Sequence, residues 1–392
     1  MMHKTLGAFL LTTALAAPAT AQTAAPQTPA DIISFLVTNQ SVQTGDFQKD
    51  QAAAAATRDT IARALLVNLA TTPIPTSSSG FVYRLDSELG TPTRVSDSFG
   101  TFFVERAMTS GRGRFALGAS GSTAGYDRLD GLNLRDGTLV TTANQFRDEA
   151  APFDTERLTL NIRTSTFTVF GTYGVTDRLE IGGALPLVDL HVDGSRVNVY
   201  RGQTFVQATG SADASGLADV AVRAKYRLVT SQTRSFAIAG EVRLPTGNQA
   251  YLLGAGRTAV RIVGIASAEN TRVGVHGNAA VVRGGASDEL DGAGAVTFAA
   301  SPRVTITGEL LYRRLSDLHD IVASTAPHPT IAGVDTLRLV PGTAVPTVAS
   351  AVSGVKWNAW GTLVVTGQVV WRLANGGLTA PFVPLVGIDY LF

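Results

Sequence analysis

Val220-Ala221-Val222-Arg223-Ala224-Lys225-Tyr226-Arg227-Leu228 is the stretch that decides the fold. Val220, Val222, Ala224, Tyr226 and Leu228 form one apolar set, and Arg223, Lys225 and Arg227 stand between them. Successive side chains of a strand point to opposite faces, so a period of two marks a strand with two unlike faces. The beat returns at Phe236, Ile238, Val242 and Leu244, which alternate with Ala237, Ala239, Glu241 and Arg243. It returns again at Val304, Ile306, Leu310 and Tyr312 against Thr305, Glu309 and Arg313. Leu363, Val365, Val369 and Trp371 keep it against Thr366, Gln368 and Arg372.

A water-soluble sandwich also alternates, but its polar face meets bulk water and is densely charged. This chain is 45% hydrophobic and only 16% charged, with 40 glycines among 392 residues. The charged face is sparse, carries both signs and admits Gly and Ala freely, as a crowded lumen would. A tilted strand crosses a bilayer in about 9–11 residues, and these runs are that long. The expectation is an all-β, antiparallel up-and-down transmembrane barrel.

The connections support it. Thr176-Asp177-Arg178, Ser231 to Arg234, Glu269-Asn270, Ser301-Pro302-Arg303 and Asn358-Ala359-Trp360 are tight. Tyr126 to Thr155, Asp193 to Gly216, Pro245 to Gly256 and Ser316 to Pro346 are longer, with Ser287-Asp288 between the extremes. Short turns on one side and long loops on the other is the outer-membrane pattern, the short side being periplasmic. Tyr173, Tyr226, Phe236, Trp357, Trp360, Tyr390 and Phe392 cluster toward the short turns, and Tyr312 and Trp371 toward the loops. They read as two interfacial girdles. The beat places strands near Gly80–Asp86, Arg94–Met108, Arg112–Ala124 and eleven further runs ending at Phe392. That makes fourteen, or twelve if the first hairpin belongs to the N-terminal segment.

The N-terminus reads as an export signal, with Lys4, an apolar run from Leu6 to Ala17, and Ala19-Thr20-Ala21 before Gln22. Residues 22–79 form an N-terminal segment, and 80–392 the barrel. Within that segment Ile61, Leu65, Leu66 and Leu69 give Gln51 to Ala70 an amphipathic helical face, stopped by Pro73 and Pro75. It is expected to be a plug or a periplasmic foot. No cysteine is present, so no disulfide framework exists. The formal charge of +1 gives no field that points to nucleic acid. The C-terminal strand places Phe392, Tyr390 and Ile388 on one face. This resembles the signal that bacterial outer-membrane proteins present to the barrel assembly machinery.

Tyr173-Gly174-Val175-Thr176-Asp177-Arg178-Leu179-Glu180-Ile181 resembles a strand-turn-strand of the "MetA-pathway of phenol degradation" family of outer-membrane transporters. Ser215 to Val220, Ala224 to Arg227 and Arg243-Leu244-Pro245-Thr246-Gly247 carry the same resemblance, which runs from about Ser96 to Phe392. It implies passage of small, often hydrophobic or aromatic, solutes across the outer membrane; no cofactor is expected.

The candidate pore-lining residues are Arg223, Lys225, Arg227, Glu241, Arg243, His276, Glu309, Arg313 and Arg372, with Glu180 beside them. They read either as a selectivity ring or as ion pairs filling a closed lumen. His319 and His328, near Asp317, Asp320 and Asp335, match no zinc or calcium spacing, so no metal is expected. His191, Asp193 and Ser195 lack the strained turn of a nucleophile. No enzyme is expected. The leading reading is a passive or gated channel whose partners are outer-membrane lipid and a small solute. A filled structural or adhesive barrel is the alternative, and an outer-membrane hydrolase comes after it.

Overall fold

The computed structural model describes residues 22–23, 28–37, 83–85, 92–94, 97–231, 233–328 and 331–392. The expected export signal and the expected helix at Gln51 to Ala70 lie outside these residues. Leaving aside strands of two or three residues, the strands are β1 Phe115–Tyr126, β2 Leu139–Phe146, β3 Asp154–Gly174, β4 Leu179–Tyr200 and β5 Gln203–Leu217. There follow β6 Val220–Thr230, β7 Arg234–Leu244, β8 Ala259–Glu269, β9 Val273–Gly284, β10 Glu289–Ser301 and β11 Val304–Leu315. The rest are β12 Ile321–Pro327, β13 Val334–Pro341, β14 Thr347–Trp360, β15 Leu363–Arg372 and β16 Phe382–Leu391.

Twelve of them close a ring in the order β1-β3-β4-β6-β7-β8-β9-β10-β11-β14-β15-β16, and β16 returns to β1 through Leu385↔Ser122 to Leu391↔Ala116. Every pairing around the ring is antiparallel. Closure satisfies every backbone group without an edge, which is how strands can cross lipid. The count is twelve and not fourteen. Tyr83–Leu85 pairs with Pro92–Arg94 in a separate ribbon. The expected strand Arg94–Met108 is no strand beyond Arg94 among the described residues; residues 97–108 run inside the barrel.

Outward positions form an apolar belt. Val222, Ile238, Ile262, Val296, Ile306, Leu310 and Val386 are between 44% and 65% exposed. A belt this continuous has no place against water. Phe115, Tyr173, Tyr226, Phe236, Phe298, Trp357 and Phe392 ring its short-turn margin, while Tyr312, Trp371 and Phe382 stand toward the loops. No helix among the described residues is long and apolar enough to cross a membrane. The chain is an outer-membrane β-barrel.

The long-loop side is more regular than its sequence suggests. β3 and β4 pair over their whole length, and the expected loop Asp193–Gly216 continues as the hairpin of β4 with β5. β2 adds to β3, β13 to β2 and β12 to β13. A six-stranded wall, β5-β4-β3-β2-β13-β12, therefore rises above one side of the ring. Its outward face turns polar: Ile181, Leu185 and Leu187 are followed on β4 by Asp189, His191 and Asp193. Helix α1, Pro29–Val37, packs inside this wall.

Candidate functional site: the lumen and the chain inside it

Inward positions of the ring hold nearly all of the polar candidates. Lys225, Glu241, His276 and Glu309 are buried, and Arg223, Arg227, Arg243, Arg313 and Arg372 are largely so. What meets them is the chain itself. Residues 97–110 enter from the short-turn side, where the Asp97 N–H donates to Thr271 O at 3.0 Å. They rise to Phe103 and descend to the turn after β3, where the Thr109 hydroxyl donates to Asp177 O at 2.6 Å.

No strand pairing joins this segment to the wall; wall side chains hold it. Glu309 accepts the N–H groups of Phe102, Phe103 and Val104 at 2.7, 2.9 and 2.8 Å. The Thr305 hydroxyl accepts the Phe99 N–H, and the Ser267 hydroxyl accepts that of Ala107. Lys356 donates to Thr101 O at 3.1 Å, and Lys225 to Arg106 O at 3.4 Å. Charges match as well. Arg223 meets Glu105, and Arg106 lies 2.9 Å from Glu269 with both side chains buried. Lys225 and Glu180 pair at 3.2 Å, and the other Glu180 oxygen accepts the N–H and hydroxyl of Ser110. A buried charge without a partner is costly, and here Arg223, Lys225, Glu180 and Glu269 each meet a partner on the segment or a neighbouring strand.

The remaining candidates, Arg227 excepted, are tied outside the segment. Arg243 pairs with Glu241 at 3.0 Å, and Arg313 with Glu289 at 2.7 Å. Arg372 reaches Asp127 at 2.5 Å. His276 shares a hydrogen with the Ser267 hydroxyl at 3.0 Å. Arg227 contacts Met108 through a long bond to sulfur. The loop residues separate: Asp335 pairs with Arg147, Asp317 accepts the Asp288 N–H, and Asp320 accepts the Ala344 N–H. His191 bridges Asp193 and Asp213 on the outer face of the wall.

A second internal element, α1, lies on the long-loop side. Thr28 and Asp31 exchange a capping-box pair at the start of α1, with Pro29 at its first position. Ile32, Ile33 and Leu36 are fully buried against Leu158, Leu160, Val192 and Ala208. Gly194 permits the approach, since a Cβ there would lie 2.8 Å from Leu36 Cδ1 and 2.5 Å from Thr159 O. Arg196 donates to Leu36 O at 3.4 Å at the other end of the helix.

Above the tip of the segment lie two chambers. The first is lined by four arginines (223, 243, 261, 313) and five carboxylates (105, 219, 241, 289, 291). The second is lined by Ser120, Ser122, Tyr126, Thr164, Thr166 and Thr168, by aliphatic side chains, and by Arg313 and Arg372. Phe103, Leu311 and Arg313 border both.

No protein-family model matches this sequence, and no curated protein matches it. Among solved structures it is similar to an outer membrane channel from Pseudomonas putida F1, with 12% identity, 73% of this chain and 98% of that chain covered, and a TM-score of 0.46. It is also similar to the translocator domain of the autotransporter NalP from Neisseria meningitidis, with 12% identity, 72% and 89% covered, and a TM-score of 0.36. A FadL homologue from Pseudomonas aeruginosa gives 9% identity, 71% and 89% covered, and a TM-score of 0.31.

The sequence reading missed the segment's own contacts, Phe103, Glu105 and Arg106, and two wall residues that meet the segment, Glu269 at Arg106 and Lys356 at Thr101. The signal was there. Phe102-Phe103-Val104 breaks the period of two, and adjacent Glu105-Arg106 puts charge on both faces of any strand. The capping box at Thr28 likewise marked α1.

Proposed function

We propose that the barrel is a gated outer-membrane passage for small hydrophobic or aromatic solutes, closed at rest by residues 97–110. One observation carries this reading. The segment that blocks the lumen is fixed by side chains and not by a sheet ladder, and its Phe103 tip borders both chambers. Undocking it breaks a limited set of contacts and leaves the twelve-stranded wall intact. The resemblance to the phenol-degradation transporters supports the solute class.

The matched ion pairs favour the alternative of a permanently filled barrel, and conductance separates the two. The wild type in a planar bilayer is expected to be closed or to open briefly, and a variant with a loosened segment to stay open. Loss of the protein is expected to slow uptake of an aromatic acid or phenol more than that of a hydrophilic sugar. If neither form conducts and uptake is indifferent, the filled barrel is the correct reading.

A further inference from the structure

The two chambers differ in charge. In the first, four arginines face five carboxylates, so its cations are matched within the lining. Among the described residues the second has no carboxylate in its lining, yet Arg313 and Arg372 both border it. Their partners stand elsewhere: Arg313 is tied to Glu289 and Asp291, which line the first chamber, and Arg372 to Asp127.

Arg372 is the more telling of the two. Its Nη1 makes both of its side-chain hydrogen bonds, to Asp127 at 2.5 Å and to the Thr379 hydroxyl at 3.4 Å. Among the described residues Nε and Nη2 have no hydrogen-bond partner. Those two N–H groups lie side by side on one edge of the guanidinium, a fork that fits the two oxygens of a carboxylate. The rest of the lining offers hydroxyls from Ser350 and Thr379 and apolar walls from Leu311, Val370 and Leu385. An apolar body could lie against those walls while hydroxyl hydrogens help solvate an anion. A cation would meet two guanidinium groups and, among the described residues, no carboxylate in the lining. A dianion would need more positive charge than two already paired arginines provide.

We infer that the second chamber is a binding site for a small organic monoanion, an apolar body bearing one carboxylate, held by the Nε–Nη2 edge of Arg372. This rests on the passage reading for its purpose, since a solute pausing there would stand above the Phe103 tip. The binding itself can be measured apart from conduction.

The test is calorimetric titration of the purified full chain in detergent with benzoate, benzyl alcohol, benzylamine and acetate at one ionic strength. Benzoate is expected to bind saturably at one site, benzyl alcohol at least roughly tenfold more weakly, and benzylamine and acetate not measurably. Arg372→Gln should weaken benzoate at least roughly tenfold and leave benzyl alcohol unchanged. Arg372→Lys, which keeps the charge and loses the fork, should fall between. Arg303→Gln, at a short turn, should bind benzoate as the wild type does. Equal binding of the alcohol or the amine overturns the inference, and so does full benzoate affinity in a folded Arg372→Gln protein. If that variant does not fold, the four probes on the wild type decide alone. Selective benzoate binding by a barrel that never conducts upholds the site and sinks the passage. A barrel that conducts but binds all four probes alike does the reverse.

Discussion

The carboxylate of Glu309, on β11, accepts the N–H of Phe102 at 2.7 Å, and the next two N–H groups of the same segment within 2.9 Å. One wall side chain thus satisfies three consecutive backbone donors at the tip of the chain inside the lumen. Hydrogen bonds to a charged group contribute about 1.5–3 kcal/mol each. Glu309→Ala should therefore favour the undocked segment by roughly 3 kcal/mol or more. The expected results are a larger or longer-lived conductance and reaction of a Phe103→Cys thiol with a small water-soluble reagent. A closed barrel with an unreactive thiol would show that the segment is not the gate.

Phe392 closes the wall. Its N–H donates to Phe115 O at 2.8 Å, and its ring lies 5.7 Å from that of Phe115 and 4.6 Å from that of Tyr390. Deleting Phe392, or changing it to Asp, removes this tie at the lipid-facing seam between β16 and β1. Folded, heat-modifiable protein in the outer membrane should drop several-fold, with the unfolded form accumulating in the periplasm. Wild-type amounts of folded protein would refute the assembly role.

The wall was legible in the sequence because each ring strand keeps one lipid face. A one-residue slip on Val220–Leu228 would turn Arg223, Lys225 and Arg227 to the hydrocarbon, so the register is written into the alternation. The lumen was less legible. Thr101 to Met108 has the length and apolar content of a strand, and its burial against Glu309 and Lys225 depends on residues more than one hundred positions away. The rim hairpin β4–β5 was read as a loop because Gly194, Gly202, Gly210 and Gly216 interrupt it. At Gly194 that interruption makes room for α1.

Topology can be read with single cysteines, since the chain has none of its own. Gln203→Cys, exposed at the tip of the β4–β5 hairpin, should react on intact cells with an impermeant thiol reagent. Arg303→Cys, in the tight turn between β10 and β11, should react only after the outer membrane is permeabilised. The opposite result would invert the barrel, and with it the assignment of residues 97–110 to the periplasmic side.

Asp288 latches the connection between β9 and β10. It accepts the Gly284 N–H at 2.8 Å and Arg283 Nη1 at 2.6 Å, and these bonds, the backbone one first, hold its carboxyl below the usual range. An acid with a depressed folded pKa adds stability above its unfolded pKa of about 3.9, and that stability is lost as pH falls through the folded value. Slow exchange of the Gly284 amide should thus survive at a pH where an ordinary Asp is half protonated, and fail only below it. Asp288→Asn should lose this acid-side transition. Loss of protection already between about pH 6 and pH 5, above that range, would contradict the latch.

Lys225 and Glu180 offer the sharpest test of how the interior is held. The pair spans β6 and β4 at 3.2 Å with both side chains 1% exposed. Glu180 also receives Ser110, and Lys225 donates to Arg106 O, so each end of the pair grips the internal segment. Lys225→Met leaves a buried carboxylate without its nearest cation, a loss of about 3–5 kcal/mol for a broken buried pair. Combining it with Glu180→Gln removes the stranded charge while keeping an acceptor for Ser110. The double variant should then recover most of the lost stability, because a buried pair replaced as a whole is often close to neutral. Heat-modifiable migration across a urea series would measure both. If the single and double variants unfold together, the charges are not coupled, and the segment is held by its hydrogen bonds to Glu309 and the hydroxyls alone. If only the double variant recovers and yet conducts more than the wild type, the pair is part of the closure as well as of the wall.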